Sequence, residues 1–208
     1  AGNTLFTSGY SLSASNTTEG QYTVGTNPQA WNGLLVPVGD HTSGSGKMMI
    51  VNGSPVDGEL VWKSQSIAVT SATNYFFEAF VNNVCCQNFT FGPGSESILD
   101  FSLSLNGGAL MSLGTITTNL ALTGTWEGLS TQYLAAADGF VELSLINRNT
   151  NRGGNDFAID DIYFGVESVV NPNPTTTPVP EPQSFLLLIL GLAAVLIVRV
   201  KQLNRFSK

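Results

Sequence analysis

Positive charge is scarce in this chain, and so are histidine, cysteine and any recurring segment. Four of the eight Lys/Arg fall in the last ten positions, leaving residues 1–182 with four cations against all 15 anions, a net charge of −11. Such a surface is not built to neutralise phosphates, so nucleic acid is excluded as a partner. It suits solubility outside the cell and, where carboxylates cluster, divalent cations. The single histidine, His41, has no Gly-x-Ser-x-Gly elbow and no Ser-x-x-Lys to work with, which excludes the familiar triad hydrolases. It reads as a turn residue whose ring packs or hydrogen-bonds locally. Cys85 and Cys86 are adjacent, a spacing that fits no metal site, and a vicinal disulfide needs a strained ring. The pair reads as part of a surface loop or a strand end. No internal repeat is present, which excludes solenoids and repeat arrays. No charged and then apolar leader follows Ala1, so export has to be read from the other end.

What the chain has instead is strand patterning. Residues 1–30 are rich in Gly, Ser, Thr and Asn and read mostly as loop, with one alternating piece at 21–24. Short apolar stretches at 31–38 and 47–52 flank a Gly/Ser-rich turn at 39–46. Residues 60–69 and 75–84 read as two long strands, the second apolar on both faces and therefore central. At 98–106 the alternation is clean: Leu99, Phe101, Leu103 and Leu105 share one face, Asp100, Ser102 and Ser104 the other, as in a half-buried strand. Asn106-Gly107-Gly108 then turns the chain into a hairpin with 109–116. With 125–133, 140–147 and 156–164 this makes about eight strands and no helical period, so the spacing predicts an antiparallel β-sandwich.

Beyond residue 166 the composition turns to Pro, Thr, Asn and Val, a semi-extended spacer that cannot pair in a sheet. The run from 185 to 198 contains no polar side chain. A membrane-crossing helix needs roughly 17 to 25 apolar residues, so this one must recruit Gln183 and let Arg199 and Lys201 snorkel. Arg199, Lys201, Arg205 and Lys208 form a positive flank that places the tail in the cytoplasm and the body outside.

Val179, Pro180, Glu181 and Pro182, the apolar run and the cationic end together resemble a PEP-CTERM sorting signal. The resemblance implies an exported protein of a Gram-negative bacterium and an exosortase-like processing enzyme as partner. The helix would then anchor the chain in the membrane until processing releases it to the cell surface or beyond.

Two segments in the body resemble the MAM domain and related jelly-roll carbohydrate-binding modules. They are Gly-Asp-His-Thr-Ser-Gly-Ser-Gly-Lys-Met-Met at 39–49 and Gly-Gly-Asn-Asp-Phe-Ala-Ile-Asp-Asp-Ile at 153–162. The resemblance implies a jelly roll and a structural calcium ion held by acids at such positions, here Asp40 and Asp160. Asp161 is next, because neighbours on a strand point to opposite faces and one of the pair can face the ion. The opening Asn-Gly-Asp-Phe-like strand of those families is missing, and Glu19 is the residue available to replace its ligand.

Trp31, Trp62, Trp126 and Tyr133 are the aromatics suited to stacking on sugar rings, although at least two of the tryptophans are expected in the core. The resulting expectation is an all-β jelly-roll β-sandwich over 1–165, a Pro/Thr-rich linker over 166–182, a transmembrane helix over 183–200 and a basic tail over 201–208. No catalytic residue is assigned. The expected role is binding or adhesion in the extracellular polysaccharide matrix. A carbohydrate-active hydrolase using two of the acids is the alternative, and a purely structural matrix component the third class.

Overall fold

The computed structural model describes residues 6–88 and 91–172. The sorting motif at 179–182, the hydrophobic run and the basic tail lie outside the described residues, and among the described ones no helix is long and apolar enough to cross a membrane. In chain order the elements are β1 (Ser11–Leu12), β2 (Gln21–Gly25), the one-turn helix α1 (Pro28–Trp31), β3 (Met48–Asn52), β4 (Leu60–Lys63), β5 (Ile67–Val69), β6 (Asn74–Asn83), β7 (Ile98–Leu105), β8 (Leu110–Thr117), β9 (Glu127–Leu134), β10 (Gly139–Asn147) and β11 (Phe157–Gly165).

Two sheets result. One runs β1-β2-β3-β11-β6-β9, the other β4-β10-β7-β8 with β5 also on β10. Every pairing is antiparallel except β1 with β2. From β3 onward the chain changes sheet at each connection, apart from β4 to β5 and the β7–β8 hairpin. The two packed sheets are the β-sandwich that the strand spacing predicted, and their strand order and crossovers are those of the jelly roll that the resemblance implied.

The hairpin turn follows from its residues: Asn106 and Gly107 have φ of +51° and +70°, and the Gly108 N–H donates to the Leu105 carbonyl at 2.9 Å. Asn and Gly tolerate that left-handed pair, whose twist matches the flanking strands. The single strand expected at 60–69 is instead two. Ser64 Oγ accepts the Leu143 N–H at 2.9 Å, and this side-chain bond interrupts the ladder between β4 and β5. β6 is central, between β11 and β9, as its two apolar faces predicted.

Alternation decides what lies between the sheets. Phe77, Ala79 and Val81 of β6, Leu99, Phe101 and Leu103 of β7, and Phe157 and Ile159 of β11 form the main core, with Phe77 and Phe101 edge-on at 4.9 Å. β7 departs from the half-buried expectation, because Asp100 and Ser102 are buried as well. Its polar face is sealed by Asp100, which accepts from Ser102 Oγ at 3.1 Å, Ser112 Oγ at 2.6 Å and Arg148 Nη2 at 2.9 Å.

The outer face of the six-stranded sheet carries a second apolar cluster: Leu35, Met48, Ile50, Val84, Cys85, Cys86 and Ala158. Residues 31–38 cover it without forming a strand. Asn27 accepts the Gln29 N–H at 3.0 Å and Pro28 opens α1, so the chain enters as a capped helical turn. The three tryptophans are all half-buried, against the expectation of at least two in the core. Trp31 Nε1 donates to Ser13 O and Trp126 Nε1 to Gly39 O, each at 3.1 Å, and an indole N–H that needs a loop carbonyl keeps its ring near the surface. Trp62 leans on Phe6 and Phe77 from the edge of the core, and Tyr133 is buried.

The domain also runs past the expected boundary at 165. Ser168, Val169 and Val170 strap back over the outer face, where Glu78 holds them.

Candidate functional site

Asp40, Asp160 and Asp161 lie around the 39–46 turn, while Glu19 lies elsewhere. Asp40 organises its own turn, accepting the Ser43 N–H at 2.9 Å, Ser43 Oγ at 3.0 Å and the Gly46 N–H. These donors, the Ser43 amide foremost, hold its carboxyl below the usual range. The turn lies against β11, where the register shifts between Asp160 and Tyr163 and Asp161 takes a φ of +45°. This bulge defeats the simple alternation that would turn the two acids apart. Asp160 Oδ2 accepts the His41 N–H at 2.9 Å, while Asp161 Oδ2 meets His41 Nδ1 at 2.8 Å and accepts Thr42 Oγ1 at 2.6 Å. Burial raises the Asp160 carboxyl despite the His41 amide.

His41 itself stacks on Phe80 with ring centroids 3.6 Å apart and meets Trp126 edge-on at 6.0 Å, a packed turn residue as expected. In this arrangement the three acids face amide and hydroxyl donors. Among the described residues no group of three or more His, Cys, Asp and Glu converges on a common point.

A different place has the form of a binding site. At one end of the sandwich the loop 16–19, the segment 32–34, Cys85–Cys86 and the approach to β11 enclose a cavity of about 280 Å³. The loop is set by two amides. Gln21 Oε1 accepts the Thr17 and Thr18 N–H groups at 2.8 and 3.2 Å, and Asn52 Nδ2 donates to Asn16 Oδ1 at 2.9 Å and Thr18 O at 3.2 Å.

Cys85 and Cys86 are joined to each other by a disulfide and line the cavity. Of the two readings, surface loop or strand end, the second holds: the pair follows the end of β6, is buried in the apolar cluster there, and Cys85 bridges to Leu35.

Electrostatically the cavity is short of donors. Asp156 is 9% exposed, and among the described residues its carboxyl accepts one hydrogen bond, from the Gly53 N–H to Oδ1 at 3.1 Å. Burial, aided by nearby Glu19 and only partly opposed by that amide, pushes its carboxyl up to about 7. Burial also raises Glu19, with Arg152 pulling the other way. Glu19 Oε2 and Asn16 Nδ2 are both sealed from solvent with no hydrogen-bond partner. The arrangement can hydrogen-bond a polyhydroxylated ligand and can keep a carboxylic acid protonated near neutral pH.

Glu19 had a sequence signal only as a replacement ligand, and Asp156 only as part of the 153–162 segment. Arg152, Asn16 and Asn52 had none, because their meeting joins segments more than thirty residues apart that carry no shared motif.

No family model matches the chain, and no curated protein matches it. Among solved structures it is similar to a cyclase from Fischerella sp. TAU in complex with 4-(1H-indol-3-yl)butan-2-one, at 12% identity over 77% of this chain and 83% of that one, with a TM-score of 0.51. That likeness shows the fold alone. It is also similar to the CBM22-1 xylan-binding domain from Paenibacillus barcinonensis, at 14% identity over 79% of this chain and 94% of that one, TM-score 0.39. A third is a CBM4 structure, at 14% identity over 69% of this chain and 85% of that one, TM-score 0.40. The last two superimpose too loosely to carry an argument.

Proposed function

We propose that the chain is an exported, noncatalytic module that binds a carbohydrate of the extracellular matrix in the end cavity. One observation carries this reading: a concave site lined by amides, hydroxyls, a guanidinium and two carboxyls stands beside an apolar disulfide wall. Polar groups of that kind read sugar hydroxyls, and the apolar wall takes a ring face. At about 280 Å³ the cavity is just under the roughly 300 to 1,000 Å³ of small-molecule pockets, which suits a chain end or one ring rather than a long stretch of polymer. The test is a glycan array probed with the full chain in detergent, alongside an assay for released reducing ends. Binding without release is the expected result; binding to no glycan overturns it.

A second reading, a carbohydrate-active hydrolase, is favoured by one observation, the Asp156 carboxyl raised to about 7 beside Glu19. A general acid working near neutrality needs that property. Release of reducing ends that disappears in Asp156→Asn would replace the first reading with this one.

Delivery to the cell surface rests on residues 179–208. Replacing Pro180, Glu181 and Pro182 by alanine is expected to block processing while leaving insertion intact, read by the size of the membrane-bound product in a host with the exosortase. A structural calcium at Asp40, Asp160 and Asp161 belongs to the same proposal.

A further inference from the structure

We propose that the end cavity selects a sugar bearing a protonated amine, placed between Glu19 and Asp156. The inference rests on the carbohydrate-binding reading and names the class of sugar. Asp156 is more than nine-tenths buried, lines the cavity and has a donor on one oxygen only, the Gly53 amide. Glu19 Oε2 is sealed with no donor at all. Two carboxyls short of donors therefore line a space where, among the described residues, Arg152 is the one cation, and a bound cation would draw both into the charged form. A neutral hydroxyl ligand would leave that imbalance in place. An ammonium group brings a full charge and three donors, and a carboxylate out of water gains most from such a partner.

The rest of the domain points the same way. Residues 6–172 carry 14 acids and four cations, and of those cations Lys63 pairs with Glu142 at 2.9 Å while Arg148 pairs with Asp100 at 2.9 Å and Asp57 at 3.4 Å. An anionic polysaccharide meets repulsion at long range and, in the cavity, two carboxyls; a cationic one is steered in. Thr17 and Thr18, exposed in the same lining, then offer hydroxyls to those of the sugar.

The experiment is calorimetric titration of the full chain with three soluble oligomers of equal length, one of glucosamine, one of N-acetylglucosamine and one of glucose. The glucosamine oligomer is expected to bind at least tenfold more tightly than the other two. Asp156→Asn and Glu19→Gln should each remove that preference, and Arg152→Ala should increase it. The opposite signs separate a charge effect from a folding defect, since damage to the cavity weakens all three oligomers together. Equal affinity for the three would overturn the amine inference while leaving carbohydrate binding in place. Binding of none would overturn the amine inference, and a blank glycan array in addition would overturn the carbohydrate reading. A preference that survives Asp156→Asn and Glu19→Gln, or that falls in Arg152→Ala, places the ammonium elsewhere and overturns it too.

Discussion

Glu78, on the outer face of the six-stranded sheet, and Asp156, just ahead of β11 in the end cavity, are both buried acids, yet they are held in opposite states. Glu78, wholly buried on β6, accepts Ser130 Oγ at 2.6 Å, Ser168 Oγ at 2.5 Å, the Val169 N–H at 2.6 Å and the Val170 N–H at 3.2 Å. Burial works against its charge, but those four donors outweigh it and the carboxyl stays below its usual range. Asp156 has one donor, and burial pushes it up to about 7. The difference is the supply of donors, and it separates a carboxylate that fastens the fold from one left open to a proton or a ligand.

The turn around Asp40 depends on close backbone approach as well as on donors to its carboxyl. A Cβ on Gly39 would lie 2.2 Å from the Gly44 carbonyl oxygen, so Gly39→Ala forces the Asp40 turn apart. We expect a loss of about 4 kcal/mol or more in urea unfolding, at the upper end for single substitutions.

Asp156→Asn should act in the opposite direction and depend on pH. Its carboxyl is raised from 3.8 to about 7, so the native state binds the extra proton between those values and stability falls as pH rises through that window. Asparagine removes the dependence. The variant is expected to gain up to about 4 kcal/mol over the parent above neutrality and little below pH 4, at about 1.4 kcal/mol per unit. Parallel pH–stability curves for the two proteins would show that Asp156 is ionised and satisfied like Glu78.

Glu78→Gln replaces an all-acceptor group with one that also presents donors to the strap. A cost of about 3 kcal/mol is expected from the lost charge-assisted bonds, with faster hydrogen exchange at Val169 and Val170. Because the Glu78 carboxyl is lowered, its contribution is present above the unfolded value and vanishes as pH falls through the folded one.

Calcium tests whether Asp40, Asp160 and Asp161 can trade their present donors for an ion. If they can, a hundredfold excess over Kd stabilises the fold by about 2.7 kcal/mol, and Asp40→Ala or Asp160→Ala abolishes the rise in Tm. Indifference to calcium and to chelator leaves them as hydrogen-bond acceptors. Asp161→Asn should cost least, under about 1 kcal/mol, because its pair with His41 is exposed.

Much of the fold was legible in local pattern. The alternation at 98–105 and the two-faced apolar run of β6 identified those strands, and Asn106-Gly107 identified the hairpin between β7 and β8. The departures each involve a partner far away in the chain. Ser64 divides a strand by bonding Leu143, Asp100 is buried by Arg148, and residues 168–170 join the domain through Glu78. The candidate site was less legible for the same reason, as the loop carrying Asn16 and Glu19, the end of β3 at Asn52 and the segment at Arg152 are far apart in the chain.

The sequence by itself determined the strand content, the acidic surface and which side chains share a face, because alternation and composition are local properties. Only the tertiary structure decided which acids are satisfied. Gly53 reaches Asp156 across 103 residues and His41 reaches Asp160 across 119. A carboxyl's protonation depends on the donors and the water around it, and neither is encoded in its own stretch of chain.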